Sequence, residues 1–405
     1  MSMPIRTLDQ IPTPALLLDT ARLDANLGAM AARARALGVT WRPHFKTLKA
    51  PAVVPRLRAL GATGAAVSTP AEAAACVAAG LGDLWYTAPF APHKAALLAP
   101  LVANGLSLTL LLDDPAHAAQ LDAAAQAAGV RLGAMIELDI DGHRGGVEPD
   151  SPRFGDLLGV LGQARALDLV GLYGYGGGTY DLAERPARQA LVARIAGGVA
   201  ATADHLTRHG WTVRHRALGG SPVLAEARAA DLAGIDSLCA GVAMVEDLAQ
   251  CGNGVAQPAR IALSVLARVV QHQRETGRLF VDAGALALSK DRSTGPQADD
   301  QGYGLLCDAH GTPLGDGDVV VTAVSQEHGL VARRGGGALP ATLLAGALAA
   351  GQPVRILPNH ACITAAGHDG YWLVDEAGGV AGTWARVNGW IAPPPTAQPP
   401  GQSEG

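Results

Sequence analysis

The sequence predicts an α/β protein in which an N-terminal (β/α)8 barrel is followed by a mostly antiparallel β domain. From residue 13 to about residue 250, short apolar runs alternate with Ala-rich amphipathic stretches. Strands buried on both faces that alternate with helices indicate parallel βαβ units, and roughly eight such units over ~240 residues fit a barrel. After about residue 255 the apolar runs are broken by Gly, Asp and Pro and few helical stretches remain, which indicates a separate β domain. A doubly wound open sheet is the alternative to the barrel.

Each element is predicted from its own pattern of apolar residues. Strand-length apolar runs of the first part are Ala15–Leu18, Thr40–Phe45, Ala65–Val67, Leu84–Tyr86, Leu106–Leu112, Leu132–Leu138, Leu169–Tyr173 and Val213–Leu218. Helical patterns between them are Ala21–Leu37, Pro70–Ala79, Pro115–Ala128 and Ala187–His209. The later β-like runs are Ile261–Val270, Leu279–Val281, Gly304–Cys307, Val319–Val324, Val354–Leu357 and Tyr371–Val374, with one main helical stretch at Leu339–Ala350. In this scheme Thr40–Phe45 is the second strand of the barrel.

These patterns divide the chain into two domains and a tail. The barrel is expected in residues 13–255, and the β domain in residues 256–392 together with residues 1–12. The last stretch, residues 393–405, is too polar and Pro-rich to form a packed core. We therefore expect this tail to be disordered.

Charge and composition exclude several classes of partner. The formal net charge is −5 and no basic stripe is visible, so nucleic acid is not expected as a partner. The N-terminal residues contain no apolar signal region and no apolar stretch is long enough to span a bilayer, so we expect a cytoplasmic protein without a membrane partner. The five cysteines are scattered and odd in number, which argues against a disulfide framework.

Lys46 is the first candidate for chemistry, and lysine occurs only at positions 46, 49, 94 and 290. Because it follows the predicted strand Thr40–Phe45, Lys46 is expected at the C-terminal rim of the barrel, where catalytic groups of such barrels project. An apolar wall behind it would lower the pKa of its ammonium group by desolvation and make the amine a nucleophile and base. The alternative is a solvated lysine at a strand end.

His360 and Cys362 form the second candidate, within the segment L-P-N-H-A-C. In an extended segment residues i and i+2 point to the same face, so an imidazole nitrogen and a sulfur would lie side by side. Such a nitrogen–sulfur pair suits zinc or a similar borderline metal, and two protein ligands leave positions for water or substrate. A buried cysteine beside a hydrogen-bonded histidine is the alternative.

Two glycine-rich turns are the third candidate. Gly219, Gly220 and Ser221 follow one predicted late strand, and Gly241 and Val242 follow the next. Backbone N–H groups at the ends of late barrel strands form a cradle for phosphate, to which a serine hydroxyl adds a donor. Ordinary tight turns would give the same pattern.

Polar rims supply further candidates after two other strands. Arg144 ends the run I-E-L-D-I-D-G-H-R and could meet an anionic oxygen, and Tyr173 and Tyr180 place aromatic hydroxyls near the same mouth of the barrel. Both segments could also be ordinary loops, because polar rims are expected on any barrel.

The order of these segments resembles a known family. The runs T-P-A-L-L-L-D near the start, R-P-H-F-K-T at 42–47, I-E-L-D-I-D-G-H-R-G-G-V at 136–147 and G-G-S-P at 219–222 resemble the alanine-racemase-type pyridoxal 5'-phosphate (PLP) barrels. V-D-A-G at 281–284, S-K-D-R-S-T at 289–294, Q-E-H-G at 326–329 and P-N-H-A-C at 358–362 resemble the D-serine dehydratase and D-threonine aldolase branch of that superfamily. The resemblance covers residues from about 10 to 391. The chain departs from it at Ala243, where relatives often carry a tyrosine, and at Tyr175, where some have a histidine.

The resemblance implies roles for the candidate residues and a homodimer with shared active sites. Lys46 would carry PLP, and His360 with Cys362 would bind a divalent metal, zinc first and manganese or cobalt as alternatives. The ring and phosphate of PLP would be surrounded by Tyr173, Tyr180, Gly219, Gly220, Ser221, Gly241 and Val242, with Arg144 near the phenolic oxygen. These residues come from the resemblance and not from spacing alone.

The activity implied is a lyase reaction on a small D-amino acid. A dehydratase would eliminate water from a β-hydroxy D-amino acid such as D-threo-3-hydroxyaspartate or D-serine, giving an oxo acid and ammonia. A D-threonine-aldolase-type cleavage to glycine and an aldehyde is the alternative, although relatives with that activity tend to have His-x-Asp where this chain has His360 and Cys362. An amino-acid racemase or a non-catalytic PLP carrier are further alternatives, and the predicted β domain with its H-x-C segment disfavours the carrier.

Overall fold

The structure is a computed structural model that describes residues 5–375 and 378–391. Its strands are β1 (Ala15–Asp19), β2 (Thr40–Pro43), β3 (Ala65–Val67), β4 (Asp83–Tyr86), β5 (Ser107–Leu112), β6 (Leu132–Leu138), β7 (Leu167–Tyr175), β8 (His215–Gly219), β9 (Ser237–Ala240), β10 (Leu263–Gln273), β11 (Arg278–Val281), β12 (Leu305–Cys307), β13 (Val319–Val324), β14 (Gly329–Arg333), β15 (Pro353–Leu357), β16 (Gly370–Val374) and β17 (Val380–Ala385). Its α-helices are α1 (Thr20–Leu37), α2 (Val54–Ala59), α3 (Pro70–Ala78), α4 (Ala95–Ala103), α5 (Pro115–Ala127), α6 (Pro152–Gln163), α7 (Arg185–Arg208), α8 (Ser221–Glu226), α9 (Leu248–Gly252), α10 (Ala285–Leu288), α11 (Ala341–Ala345) and α12 (Ala361–Ala366). The predicted tail, residues 393–405, lies outside the described residues.

Eight parallel strands form the predicted barrel. Their order is β2-β9-β8-β7-β6-β5-β4-β3, and a parallel bridge between His44 and Ala66 joins the two ends of the sheet. The strands read as continuous apolar runs because both faces are buried. Their inward side chains, among them Trp85, Leu111 and Met135, form a core inside the barrel, while the outward ones pack against the helices.

The barrel helices begin where short polar residues precede proline. Thr69, Asp114 and Ser151 cap α3, α5 and α6 by accepting the backbone N–H three residues ahead, and proline occupies the first helical position in each. Proline has no N–H to leave unpaired there, and the capping oxygen satisfies a donor that the helix cannot pair. The T-P, D-P and S-P pairs of the sequence therefore mark three helix starts.

The nine remaining strands form the β domain, and one of them corrects the sequence analysis. The order is β11-β14-β13-β12-β15-β10-β1-β16-β17. Ala15–Leu18 was predicted as the first barrel strand, but β1 pairs antiparallel with β10 and parallel with β16 in this sheet. Thr40–Pro43 is thus the first strand of the barrel and not the second. The prediction was wrong because an apolar run buried on both faces fits the centre of either sheet, and its period does not identify its neighbours.

The β domain delivers one loop to the end of the barrel. The segment after β15 lies against α9, where the N–H groups of Leu248 and Ala249 donate to the carbonyls of Pro358 and Asn359 at 3.1 Å each. The residues from 358 onward are therefore held at the end of the last barrel strand. Among the residues that the structure describes, no helix combines the length and apolar character needed to cross a bilayer.

Candidate active site

A cavity of about 470 Å³ opens at the C-terminal ends of the barrel strands and is lined by both domains. It brings together most of the predicted site residues, namely Lys46, Tyr173, Tyr180, Gly220, Ser221, Gly241, Val242, His360 and Cys362. Gly219 and Arg144 lie behind this lining, against Tyr173 and Tyr175 respectively. The amine, the glycine turns and the nitrogen–sulfur pair thus surround one space within a single chain.

Lys46 follows the first barrel strand, as the position of the motif predicts, and its side chain is exposed. The backbone before it is fixed, because the N–H of Phe45 donates to the carbonyl of Ala66 at 2.8 Å on the neighbouring strand. The expected apolar wall does not cover this side chain within residues 5–375 and 378–391. The lysine is therefore placed at the barrel rim but left open to the cavity.

His44 is a neutral imidazole held by hydrogen bonds on both ring nitrogens. The backbone N–H of Lys46 donates to Nδ1 at 3.3 Å, so Nδ1 carries no proton. The proton therefore resides on Nε2, which donates to Oγ1 of Thr87 at 3.0 Å. Burial, helped by the positive charges of Lys46 and Arg144, holds the pKa of His44 well below its usual value of 6.5. The ring thus fixes the backbone at the lysine as a neutral group.

The first glycine turn is shaped by a close approach of Tyr173. A Cβ atom on Gly219 would lie 1.8 Å from the Tyr173 hydroxyl, so no larger residue fits. Gly220 has a φ of 132°, in the region that favours glycine. Ser221 begins α8, its backbone N–H donates to the Tyr180 hydroxyl at 3.2 Å, and its Oγ accepts from the N–H of Ala243 at 3.3 Å. That last contact joins the first glycine turn to the second.

The second glycine turn is equally confined. A Cβ on Gly241 would lie 2.7 Å from Oγ1 of Thr47 and 2.9 Å from Cβ of His44. Val242 starts a short 3-10 helix, and the first N–H groups of such a turn and of α8 have no partner within their own helix. Gly220, Ser221, Gly241 and Val242 all line the cavity, and glycine turns at helix starts are typical anion sites, so these residues fit the phosphate of PLP.

Arg144 is occupied by an ion pair and an aromatic ring. Its Nη2 lies 2.8 Å from Oε1 of Glu137, and its guanidinium carbon lies 3.8 Å from the centre of the Tyr175 ring. Burial raises the pKa of Glu137, partly offset by the hydrogen bond from Arg144. Arg144 therefore orients Tyr175, which lines the cavity, and does not line it itself.

His360 and Cys362 meet, although not through the extended geometry that the sequence analysis predicts. His360 is extended (φ −130°, ψ 105°), but it caps α12, and Cys362 lies in the first turn of that helix. The prediction of a strand was wrong because the chain turns into a helix directly after His360. The imidazole and the thiol still lie close enough that each shifts the pKa of the other.

The charges of this pair are coupled. Burial alone would lower the pKa of His360, but the hydrogen bond with Cys362 and the charges of Cys362, Asp247 and Asp291 outweigh burial and raise that pKa to about 9. Burial would raise the pKa of Cys362, but the hydrogen bond and charge of His360, with Lys46 nearby, lower it. A thiolate beside an imidazole is the donor set that zinc prefers.

Two neighbours fix the position of the pair. Sγ of Cys362 lies 3.4 Å from Oγ1 of Thr47, the residue after Lys46. The buried carboxylate of Asp247 accepts the N–H of Ala361 at 3.1 Å and that of Gln250 at 3.0 Å, so it ties the start of α12 to α9. Within residues 5–375 and 378–391, no group of three or more His, Cys, Asp or Glu side chains is arranged to hold a metal ion. A metal held by His360 and Cys362 would keep positions for water or substrate.

Several residues in or against the cavity were not predicted from the sequence. His44 and Thr47 lie inside the motif that identified Lys46, so their proximity was a signal that could have been used. Asp247 and Gln250 also line the cavity, but they belong to a short helix with no motif of its own. Nothing in the sequence distinguishes them from ordinary capping and buried residues.

Two family models together match most of the chain. Residues 18–248 match the alanine racemase N-terminal domain, and residues 262–374 match a putative serine dehydratase domain. The chain is 37% identical to the D-threo-3-hydroxyaspartate dehydratase of Delftia sp. (strain HT23), over 95% of this chain and 99% of that protein. It is 30% identical to a D-threonine aldolase of Arthrobacter sp., over 91% of this chain and 90% of that protein.

Solved structures agree with this assignment. Two variants of a D-threo-3-hydroxyaspartate dehydratase, one with a histidine replaced and one with a cysteine replaced, each match with a TM-score of 0.89 and 36% identity over 95% of this chain. The matches cover 97% and 100% of those chains, and the cysteine variant is described as metal-free. The fold and the predicted resemblance are therefore confirmed, and the chain belongs to the family of PLP-dependent lyases that join an alanine-racemase-type barrel to a serine dehydratase domain.

Proposed function

We propose that this protein is a PLP- and metal-dependent dehydratase that eliminates water from a β-hydroxy D-amino acid, with an oxo acid and ammonia as products. The observation that carries the proposal is the contact between Thr47 and Cys362, at 3.4 Å, because it puts the residue next to Lys46 against the proposed metal pair. Elimination needs a base at the α-carbon and help for the leaving hydroxyl at the β-carbon. The cavity offers an amine for the first and a nitrogen–sulfur pair for the second.

Lys46 is the proposed carrier of PLP and the base that takes the α-proton. When bound, PLP supplies an electron sink that acidifies the α-carbon of an amino acid. The glycine turns at Gly219–Ser221 and Gly241–Val242 would hold its phosphate, and Tyr173 and Tyr180 would border its ring. Lys46 is open to the cavity, so its amine can reach a proton on a substrate held there.

His360 and Cys362 are the proposed metal ligands, with zinc as the metal and manganese or cobalt as alternatives. A bound divalent ion supplies a Lewis acid that makes a hydroxyl a better leaving group, an effect worth several kcal/mol. The two solved dehydratase variants support this assignment, since their replaced histidine and cysteine are two residues apart, as His360 and Cys362 are. Asp247 would keep the pair in place through the N–H of Ala361.

The alternative activity is an aldolase cleavage to glycine and an aldehyde, because a D-threonine aldolase is among the relatives. The sulfur ligand favours the dehydratase, since thiolate selects zinc, whereas an aspartate oxygen would suit manganese or magnesium. Identity to the dehydratase is also higher, at 37% against 30%.

We further propose that the protein acts as a cytoplasmic homodimer with shared active sites. Lys46 is exposed in the single chain, and a partner subunit would supply the missing wall of the cavity.

Product analysis tests the proposed reaction. The purified protein, loaded with PLP and zinc, is incubated with D-serine, D-threonine and D-threo-3-hydroxyaspartate. An oxo acid and ammonia are expected, and Lys46→Ala should abolish both the visible absorbance of bound PLP and the products. The control is Lys94→Ala, which lies in a surface turn away from the cavity. If the products are glycine and an aldehyde, the protein is an aldolase and not a dehydratase.

A further inference from the structure

The backbone that follows Lys46 is held by the last part of the β domain. We call residues 46–49 the lysine loop. The Tyr371 hydroxyl donates to the carbonyl of Leu48 at 2.7 Å, and Nη1 of Arg386 donates to the same carbonyl at 2.9 Å. The N–H of Val387 donates to the carbonyl of Lys49 at 2.7 Å. Two consecutive carbonyls of the lysine loop are therefore bonded to residues more than 300 positions away along the chain.

Tyr371 and Arg386 form one unit, which we call the clamp. Nη1 of Arg386 is also hydrogen-bonded to the Tyr371 hydroxyl. The two residues reach the same place because they lie on neighbouring strands: β16 and β17 pair antiparallel with Tyr371 opposite Trp384, and Arg386 comes directly after β17. Both side chains are buried, with exposures of 1% for Tyr371 and 8% for Arg386.

The clamp is unfavourable as a purely structural element. The Nε and Nη2 atoms of Arg386 are buried without hydrogen-bond partners in the described part of the chain. The hydrogen bonds of this guanidinium in the described residues go to neutral oxygens, so it loses hydration without gaining an opposite charge. An apolar side chain of similar length would fill the space at lower cost. Arg386 contributes hydrogen-bond donors, which an apolar side chain lacks. These donors fix the carbonyl groups of the lysine loop.

The lysine loop has a backbone that needs such support. Lys49 has a φ of 49°, which is uncommon for a residue with a side chain and persists only where the surroundings fix it. Its Nζ lies 3.1 Å from Oε1 of the buried Glu72. The loop is thus held on one side by an ion pair and on the other by the clamp.

The lysine loop also contacts the proposed metal pair. Thr47 is fully buried, and its Oγ1 lies 3.4 Å from Sγ of Cys362, while its carbonyl lies 3.5 Å from Nη1 of Arg386. A displacement of the loop would therefore move both the Lys46 amine and the hydroxyl that touches the Cys362 sulfur. The clamp reaches both parts of the site through one short piece of backbone.

We propose that Tyr371 and Arg386 are positioning residues that set the Lys46 amine relative to the His360–Cys362 pair by fixing the lysine loop. This inference rests on the proposed function and adds residues that neither touch the substrate nor line the cavity. It implies that loosening the clamp weakens attachment of PLP and slows the reaction while substrate affinity changes little.

The test compares Tyr371→Phe, Arg386→Met and Arg386→Lys with a matched control, Arg268→Met. Arg268 also donates to two backbone carbonyls, those of Gly351 at 2.8 Å and Asp9 at 2.9 Å, but it is remote from the lysine loop. For each full-length protein we would measure PLP affinity by visible absorbance, zinc affinity without PLP, kcat and KM, and hydrogen exchange of the amides of residues 46–49.

Tyr371→Phe and Arg386→Met are expected to lower PLP affinity and kcat by between about twofold and tenfold, the effect of losing one or two hydrogen bonds. KM should stay within about twofold, amide exchange in the lysine loop should rise, and Arg386→Lys should recover part of the loss because it keeps a donor. Arg268→Met should change none of these.

Equal behaviour of the clamp variants and Arg268→Met would overturn the proposal. If Arg386→Met does not fold, Tyr371→Phe, which removes a single oxygen, decides the question alone. A wild-type protein that binds no PLP, or forms no oxo acid, would contradict the proposed function instead, whatever the variants do. The two failures are therefore distinct.

Discussion

At the scale of single residues, the metal preference of the proposed site depends on one sulfur atom. Cys362 sits in the first turn of α12, in contact with His360 and Thr47, and the charge of His360 favours its thiolate form. Thiolate is a soft ligand that selects zinc, whereas a carboxylate in the same position is a hard one. The identity of this residue, more than the shape of the cavity, should set which metal supports the reaction.

The variant Cys362→Asp tests that view. Zinc affinity should fall at least about tenfold, because even the loss of a residue that only hydrogen-bonds a metal ligand has an effect of about this size. Manganese should then support more of the remaining activity than zinc does. Zinc and manganese affinities and the activity with each ion are the measurements. Cys251→Ser, on a cysteine that does not line the cavity, is the control. An unchanged order of metals would contradict the assignment of Cys362 as a ligand.

His44 makes a second prediction at this scale, on the pH dependence of stability. Its pKa in the folded protein is held well below 6.5 by burial and by Lys46. An unfolded chain therefore binds more protons than the folded one as the pH falls below about 6.5, and the free energy of unfolding decreases by up to about 1.4 kcal/mol per pH unit from this group. Above that pH the contribution is constant.

The measurement compares urea unfolding of the wild type and His44→Gln between about pH 7.5 and pH 5.5. The wild type should lose more stability than the variant over this interval, because only the wild type carries the buried imidazole. Parallel curves for the two proteins would show that His44 is protonated in the folded state as well. The control is His117→Gln, since His117 lies on α5 and its imidazole is hydrogen-bonded to the carbonyl of Phe90.

The sequence predicted the location of residues that a local pattern marks. Lys46, Gly220, Ser221, Gly241 and Val242 lie at the cavity, as predicted, because a strand end and a turn both leave signals in neighbouring residues. Tyr371 and Arg386 were not found, because their partners are backbone carbonyls at 47 and 48. Any residue has a carbonyl, so no pattern of side chains indicates such a contact.

At the scale of elements, the strands were easier to predict than their neighbours. The run Ala15–Leu18 was correctly predicted as a strand but belongs to the β domain, where it pairs with β10 and β16. Which strands pair with one another is set by the topology of the whole sheet. All five residues of β1 are buried, so their pattern does not indicate which strands lie beside it. In the same way, the H-x-C pattern indicated that the side chains of His360 and Cys362 lie close together. It did not indicate that the start of α12 brings them together.

The turn after β8 gives a prediction at this scale. Gly219→Ala would place a methyl group 1.8 Å from the Tyr173 hydroxyl, so the turn or the tyrosine must shift. PLP affinity should fall by at least about fivefold, as expected when a buried side chain is forced off its position at a cost of about 1–3 kcal/mol. Gly197→Ala is the matched control, since this glycine lies on the exposed side of α7 with nothing within 4 Å of the added Cβ.

The control should stabilise the protein by up to about 1 kcal/mol, because alanine is a better helix residue than glycine. PLP affinity is measured by visible absorbance and stability by urea unfolding. If Gly219→Ala binds PLP as tightly as Gly197→Ala does, the first glycine turn is not part of the phosphate site.

At the scale of the whole molecule, two exposed apolar residues lie next to the proposed metal pair. Leu286 on α10 is 57% exposed and Ile363, the residue after Cys362, is 47% exposed. The two helices are joined, because Oγ1 of Thr364 donates to the carbonyl of Leu288 at 3.0 Å. Exposed apolar side chains gathered at the edge of a site are typical of an interaction surface, and the proposed homodimer would cover this surface with a second copy of the chain.

The double variant Leu286→Glu/Ile363→Glu is therefore expected to convert a dimer into a monomer. Four like charges brought together at a two-fold interface oppose association, and the monomer should lose PLP because its cavity stays open. Sedimentation measures the mass and visible absorbance measures bound PLP, with Val270→Glu as the control on a strand residue that is 53% exposed in the β domain. Because Val270 lies on β10 and not on α10 or α12, its variant should stay dimeric and retain PLP. A wild-type protein that sediments as a monomer and still forms product would show that one chain builds the complete site.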